Sequence, residues 1–156
     1  EAKDADTVAR IYPTLWKQAP GEFASSETEK KYAEFLEATG KGKDTSKTLL
    51  DELQAGSIEP SRAALLFRIA TQQSDEDVAK MALEKIRSSD DAVRSARAGL
   101  DFAQAFGSAD DQIAAMQAIA AADPRLAGES LRAAARLMAE NGRAVAGLEI
   151  VSQLLE

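Results

Sequence analysis

At 156 residues, with 45% apolar and 29% charged side chains, the chain suits one soluble globular domain with a sizeable core. A formal charge of −7 repels nucleic acid and anionic lipid surfaces at long range, which argues against either as the main partner. Having neither cysteine nor histidine, it can form no disulfide, thiolate nucleophile or histidine metal site, so much enzyme chemistry is excluded and no cofactor or metal is expected.

The longest stretch without a charge, residues 112–122, is too short to cross a bilayer, so no membrane insertion is expected. Glu1-Ala2-Lys3-Asp4 lacks the basic-then-apolar pattern of a signal peptide, and a mature exported protein or an excised fragment would read the same way. The alanine-rich, cysteine-free composition is compatible with a bacterial accessory subunit or assembly factor of cytoplasm or periplasm.

Residues 7–18 place Val8, Ile11, Tyr12, Leu15 and Trp16 at helical spacing, and Pro13 predicts a kink or a second short helix beginning beside it. Tyr12 and Trp16 read as core aromatics rather than a ligand-stacking pair. Ser26-Glu27-Thr28-Glu29 has the pattern of a capping box, which predicts a helix over 27–38 carrying Tyr32, Ala33, Phe35 and Leu36 and ended by Gly40. After a basic turn at 40–43, Asp44 or Thr45 is the expected cap of a helix carrying Leu49, Leu50 and Leu53, closed by Gly56. The stretch 40–45 lacks the spacing and the preceding strand of a phosphate-binding loop and reads as a solvated turn.

Composition shifts near residue 57: alanine supplies eight of the first 57 residues and 24 of the remaining 99. From there Pro60, Ser74, Ser89 or Asp90, Ser108 and Asp123-Pro124 each open a helix, and Asn141-Gly142 separates the last pair, giving six helices in three hairpins. Asp75-Glu76-Asp77, Asp90-Asp91 and Asp110-Asp111 fall at helix starts, where carboxylates satisfy free amides and oppose the helix dipole; they lack the pattern of a calcium loop. Arg62-Ala63-Ala64-Leu65-Leu66-Phe67 recurs 35 residues on as Arg97-Ala98-Gly99-Leu100-Asp101-Phe102, and again as Arg132-Ala133-Ala134-Ala135-Arg136-Leu137. Val78/Ile113/Leu148 and Met81/Met116/Val151 keep the same phase, and the small residues at Ala63/Ala98/Ala133 and Ala64/Gly99/Ala134 allow close helix approach.

This pattern resembles the tetratricopeptide repeat, a helix-turn-helix unit of about 34 residues. The third unit is the nearest, with Ala134 and Ala135, the turn Glu140-Asn141-Gly142-Arg143, and Gly147-Leu148; the middle unit adds Gly107 and Asp123-Pro124. Departures are the missing aromatic pair of the first helix, the second-helix alanine replaced by Asp77, Gln112 and Gly147, and a proline closing only one unit. The resemblance implies an all-α, right-handed solenoid of about nine helices. A helical segment, 1–57, would pack on the first of three repeats, 58–92, 93–127 and 128–156, in one continuous domain.

The same resemblance implies a concave groove along the first helices, placing Arg62, Leu66, Ile69, Arg94, Arg97, Gln104, Arg132 and Arg136 on its wall. Such a groove suits an acidic peptide or a C-terminal carboxylate, because guanidinium forks pair with carboxylates and flanking apolar positions accept side chains. The competing reading has these arginines paired with Glu59, Asp101, Glu129 or Glu140 on neighbouring helices. Val145, Leu148, Val151, Leu154 and Leu155 make the last helix apolar nearly all round, which marks a contact with another copy or with further helices. The expected role is a non-enzymatic scaffold, adaptor or assembly factor, the alternative being an oligomerisation segment of a larger protein. A glycan-cleaving enzyme needs two acids about 5–10 Å apart in a cleft, and no acid in the sequence stands isolated among apolar residues as a raised pKa requires.

Overall fold

The computed structural model describes residues 26–152, together with Ile11 and Thr14, and among these residues the protein is all-helical. Eight helices lie within residues 26–152: α1 (Ser26–Ala38), α2 (Gly42–Gln54), α3 (Pro60–Gln72), α4 (Glu76–Arg87), α5 (Ala92–Phe106), α6 (Ala109–Ala122), α7 (Pro124–Glu140) and α8 (Ala144–Ser152). Ile11 and Thr14 are helical and exposed. The expectations for Val8, Tyr12, Pro13, Leu15, Trp16, Leu154 and Leu155 lie outside the described residues. No described helix is long and apolar enough to cross a membrane.

The chain divides into two compact units, Glu1–Ile86 and Arg87–Glu156. The division falls at residue 86 rather than at the composition shift near 57, because α3 packs on both α1 and α2 and so joins the first helices. In that unit α3 is nearly surrounded: Ala63, Ala64, Leu65, Leu66, Phe67, Ile69 and Ala70 are all buried, against Ala33 and Leu36 of α1 and Leu49 of α2 as the other buried apolar residues of this cluster. The Arg68 guanidinium lies 5.6 Å from the centre of the Phe67 ring. α4 buries the stripe Val78, Ala79, Ala82, Leu83 and Ile86, a 3.6-residue periodicity that leaves Lys80 and Glu84 outside.

In the second unit the principal packed pairs are chain neighbours, α5 with α6, α6 with α7, and α7 with α8. Connections of two, one and three residues enforce this. Ser108 forms a full capping box at the start of α6: its hydroxyl accepts from the Asp111 amide at 3.2 Å, and its own amide donates to the Asp111 carboxylate at 2.8 Å. Asp123 ends α6 and caps α7 at once, its amide bonded to the Ile119 carbonyl and its carboxylate accepting from the Arg125 amide at 3.0 Å. Pro124 follows at the first helical position, where a missing N–H costs nothing. Close approach of α7 and α8 rests on Gly147, since a Cβ there would lie 2.7 Å from the Ala135 carbonyl oxygen.

Three helix starts differ from the expected caps. Ser74 is no cap but a left-handed residue, φ +56°, after α3, and Asp75 caps α4 by accepting from the Val78 amide. Asp91, rather than Ser89 or Asp90, caps α5 through the Arg94 amide at 2.8 Å. α2 begins at Gly42 with no side-chain cap, two residues before Asp44, which lies within its first turn. Gly42 is buried there beneath Glu37, whose carboxylate accepts a 2.5 Å hydrogen bond from the Gln73 side chain.

Candidate partner-binding surface

The expected groove residues fall into two groups. In the first unit, Leu66 and Ile69 are fully buried beneath neighbouring helices and present nothing to a ligand, a correction to their placement on a groove wall. Arg62 is half-buried and held by Glu52 of α2 through two bonds, Nε to Oε2 at 2.7 Å and NH2 to Oε1 at 2.5 Å. The fork-to-carboxylate geometry makes α2, not Glu59, its partner. This guanidinium also faces Tyr32, whose pKa is raised by burial and drawn partly back down by the nearby positive charge.

In the second unit the corresponding positions are open. Arg97 and Gln104 of α5 and Arg132 and Arg136 of α7 are exposed, while Arg94 is half-buried and engaged by other groups. Arg132 lies over Gly128, one turn earlier on its own helix. Neither Arg132 nor Arg136 joins an ion pair among the described residues, whereas Arg125 pairs with Asp123 and Arg143 with Asp110. Arg125 folds back on Asp123, Nε and NH2 each 3.0 Å from a carboxylate oxygen. Those bonds, with a smaller contribution from Arg97, hold the Asp123 pKa below the usual carboxylate range and raise that of Arg125.

Every basic residue from Arg87 onward is arginine: seven arginines and no lysine. Arginine is the cation enriched at protein interfaces, where lysine is depleted, because a planar, weakly hydrated fork loses less on desolvation and pairs bidentately.

α8 contributes a second open surface. Val145 is 74% and Leu148 71% exposed, one turn apart, while Gly147 and Ile150 on the opposite side are buried. Val151 is half-buried. Arg143 fixes the start of this helix by an ion pair to Asp110 in the first turn of α6.

Two buried acids escaped the sequence reading. Glu29 in α1 is 3% exposed and Asp123 7%. Glu29 lies one and two turns before the buried Ala33 and Leu36 on the same face of α1, where the capping-box pattern reads it as a helix-start residue, and Asp123 pairs with the side chain two residues on. A depressed pKa suits Asp123 to capping rather than to donating a proton. Among the described residues no three acidic side chains converge as a metal site.

No protein-family model matches this chain, and no curated protein or solved structure is significantly similar to it.

Proposed function

We propose that this protein is a non-enzymatic interaction module, a stack of tetratricopeptide-like helical hairpins whose second unit receives an acidic protein segment. The observation that carries this reading is the contrast along the arginine column. Arg62 is consumed by an internal carboxylate, whereas Arg132 and its neighbour Arg136, four residues apart and so on one helix face, point outward without an ion pair among the described residues. Arg97 extends the cationic character to α5. Two exposed guanidinium groups one turn apart match a carboxylate pair or a chain-terminal carboxylate better than they match any apolar ligand.

Fluorescence anisotropy with a labelled acidic peptide bearing a free C-terminal carboxylate tests this. Binding should weaken with added salt and drop by more than about tenfold in Arg132→Glu, Arg136→Glu, with the helical signal and melting temperature preserved. Undiminished binding by the double variant removes the reading. A second reading, self-association, is favoured by the exposed Val145 and Leu148; light scattering over a concentration series decides it.

A further inference from the structure

Asn141 is the chain's single asparagine, a glycine follows it, and no Gln-Gly or Asp-Gly pair occurs elsewhere. This pair forms the turn between α7 and α8. Asn141 has φ −95° and ψ 21°, and its side-chain amide donates to the Leu137 carbonyl at 2.8 Å. The Gly142 amide donates to the Ala139 carbonyl at 3.0 Å and the Arg143 amide to the Met138 carbonyl at 2.8 Å. Asn141 and Gly142 are both exposed, and an added Cβ on Gly142 would meet nothing within 4 Å, so no side chain stands over the turn at that point.

We propose that Asn141 is a self-modification site, held in check by this turn, whose conversion to isoaspartate releases α8 from α7. The chemistry is intramolecular. The Gly142 nitrogen, its proton lost to base, attacks Cγ of Asn141; the N–Cγ bond forms as the Cγ–Nδ2 bond breaks, and ammonia leaves with a proton returned from water, closing a five-membered succinimide. Water then opens the ring. Cleaving the bond to Cγ gives aspartate, whereas cleaving the bond to the main-chain carbonyl carbon gives isoaspartate, whose backbone runs through Cβ and Cγ and is one atom longer. Attack requires ψ of Asn141 to leave its helical value, which breaks the bonds to Leu137, Ala139 and Met138. Each such bond is worth about two- to tenfold, so the turn slows the reaction about 10- to 1000-fold against an unstructured peptide. Either product loses the bond to Leu137, because a carboxylate accepts and does not donate, and sets a negative charge at the negative end of the α7 dipole. Isoaspartate does more. α8 is seated with Gly147 so near Ala135 that an added Cβ would lie 2.7 Å from the carbonyl oxygen, and a longer link shifts that register.

The full chain and a synthetic peptide of residues 137–146 are incubated in parallel at alkaline pH, with products mapped by mass spectrometry and ammonia release followed. Conversion at Asn141 is expected in both, about 10- to 1000-fold slower in the folded chain. Gly147→Ala, which pushes a methyl onto α7, should speed it, and Asn141→Gln should abolish it. The isoaspartyl form, separated chromatographically, should lose amide-exchange protection over residues 147–152 by at least about tenfold. Asn141→Asp, which has the charge and the normal backbone, should stay close to the parent. A folded chain that reacts as fast as the peptide, or more than about 1000-fold slower, overturns the site and its gate. A rate indifferent to Gly147→Ala also overturns the gate. Parental protection over 147–152 in the isoaspartyl form overturns the release of α8, and an equal loss in Asn141→Asp overturns its assignment to backbone length.

Discussion

Ser74→Gly should stabilise the protein. Four helices end in the same two-bond motif, in which the second residue after the helix donates to the carbonyl three back and the next residue to the carbonyl five back: at Gly40, Gly56, Ser74 and Gly142. All four have positive φ, between 56° and 76°, and only Ser74 carries a side chain. A left-handed conformation costs an L-residue about 1–2 kcal/mol through the Cβ contact with the following carbonyl. Glycine avoids that contact but loses about 0.5–1 kcal/mol more backbone entropy on folding. The difference leaves Ser74→Gly stabilising by about 0.5–1 kcal/mol. Asp75, the next residue, keeps its cap of α4 in the variant, because that bond uses its own carboxylate. Urea unfolding followed by circular dichroism at 222 nm should show a raised midpoint at unchanged slope. Ser74→Ala is the control: it removes the hydroxyl and keeps the Cβ, so it should leave the midpoint within about 0.5 kcal/mol of the parent. If Ser74→Gly were neutral or destabilising while Gly40→Ala cost nothing, the left-handed geometry assigned to these helix ends would be wrong. Space is not a factor at Gly40, where an added Cβ meets nothing within 4 Å.

Gly147→Ala should destabilise the second unit by about 1–3 kcal/mol, although alanine is the better helix former by about 1 kcal/mol, because the new methyl meets the Ala135 backbone. Gly99→Ala is the opposite case: only the flexible end of Arg87 lies near, so calorimetry should show a gain of about 0.5–1 kcal/mol. Glu52→Gln should cost about 0.5–1 kcal/mol and leave acidic-peptide binding unchanged, since Arg62 is tied to α2 rather than offered to a ligand. The Asp111 pKa is lowered by hydrogen bonds from the Ser108 hydroxyl and amide, and that of Asp123 by Arg125. Folded values below the unfolded one mean that stabilisation is present above about pH 4 and is lost as pH falls through the folded values, so Asp123→Asn should flatten the acid limb of the unfolding curve. Tyr32 has the reverse sign: its raised pKa gives stability that is full below about pH 10 and lost above it, a loss that Tyr32→Phe should remove.

What could be read from the sequence follows the range of the interactions involved. Gly40, Gly56, Pro60, Ser108, Asp123-Pro124 and Asn141-Gly142 all act where their local chemistry placed them, because a capping bond or a left-handed turn is settled within about four residues of chain. Ser74 departs from the expected cap for the same reason inverted: serine is a good cap and a poor left-handed residue, and Asp75 beside it outcompetes it for the first role and leaves it the second. The start of α2 is set by contact rather than capping, with a buried glycine under the Glu37 to Gln73 bond, residues 36 apart in sequence. Distance in sequence also hid the partner of Arg62. Glu59 lay closer along the chain, but Glu52 faces it once α2 packs on α3. A groove wall at Leu66 and Ile69 requires one open face on the helix that carries them. Seven buried positions on a 13-residue helix leave α3 no such face, whereas Arg97 of α5 and Arg132 and Arg136 of α7 are exposed.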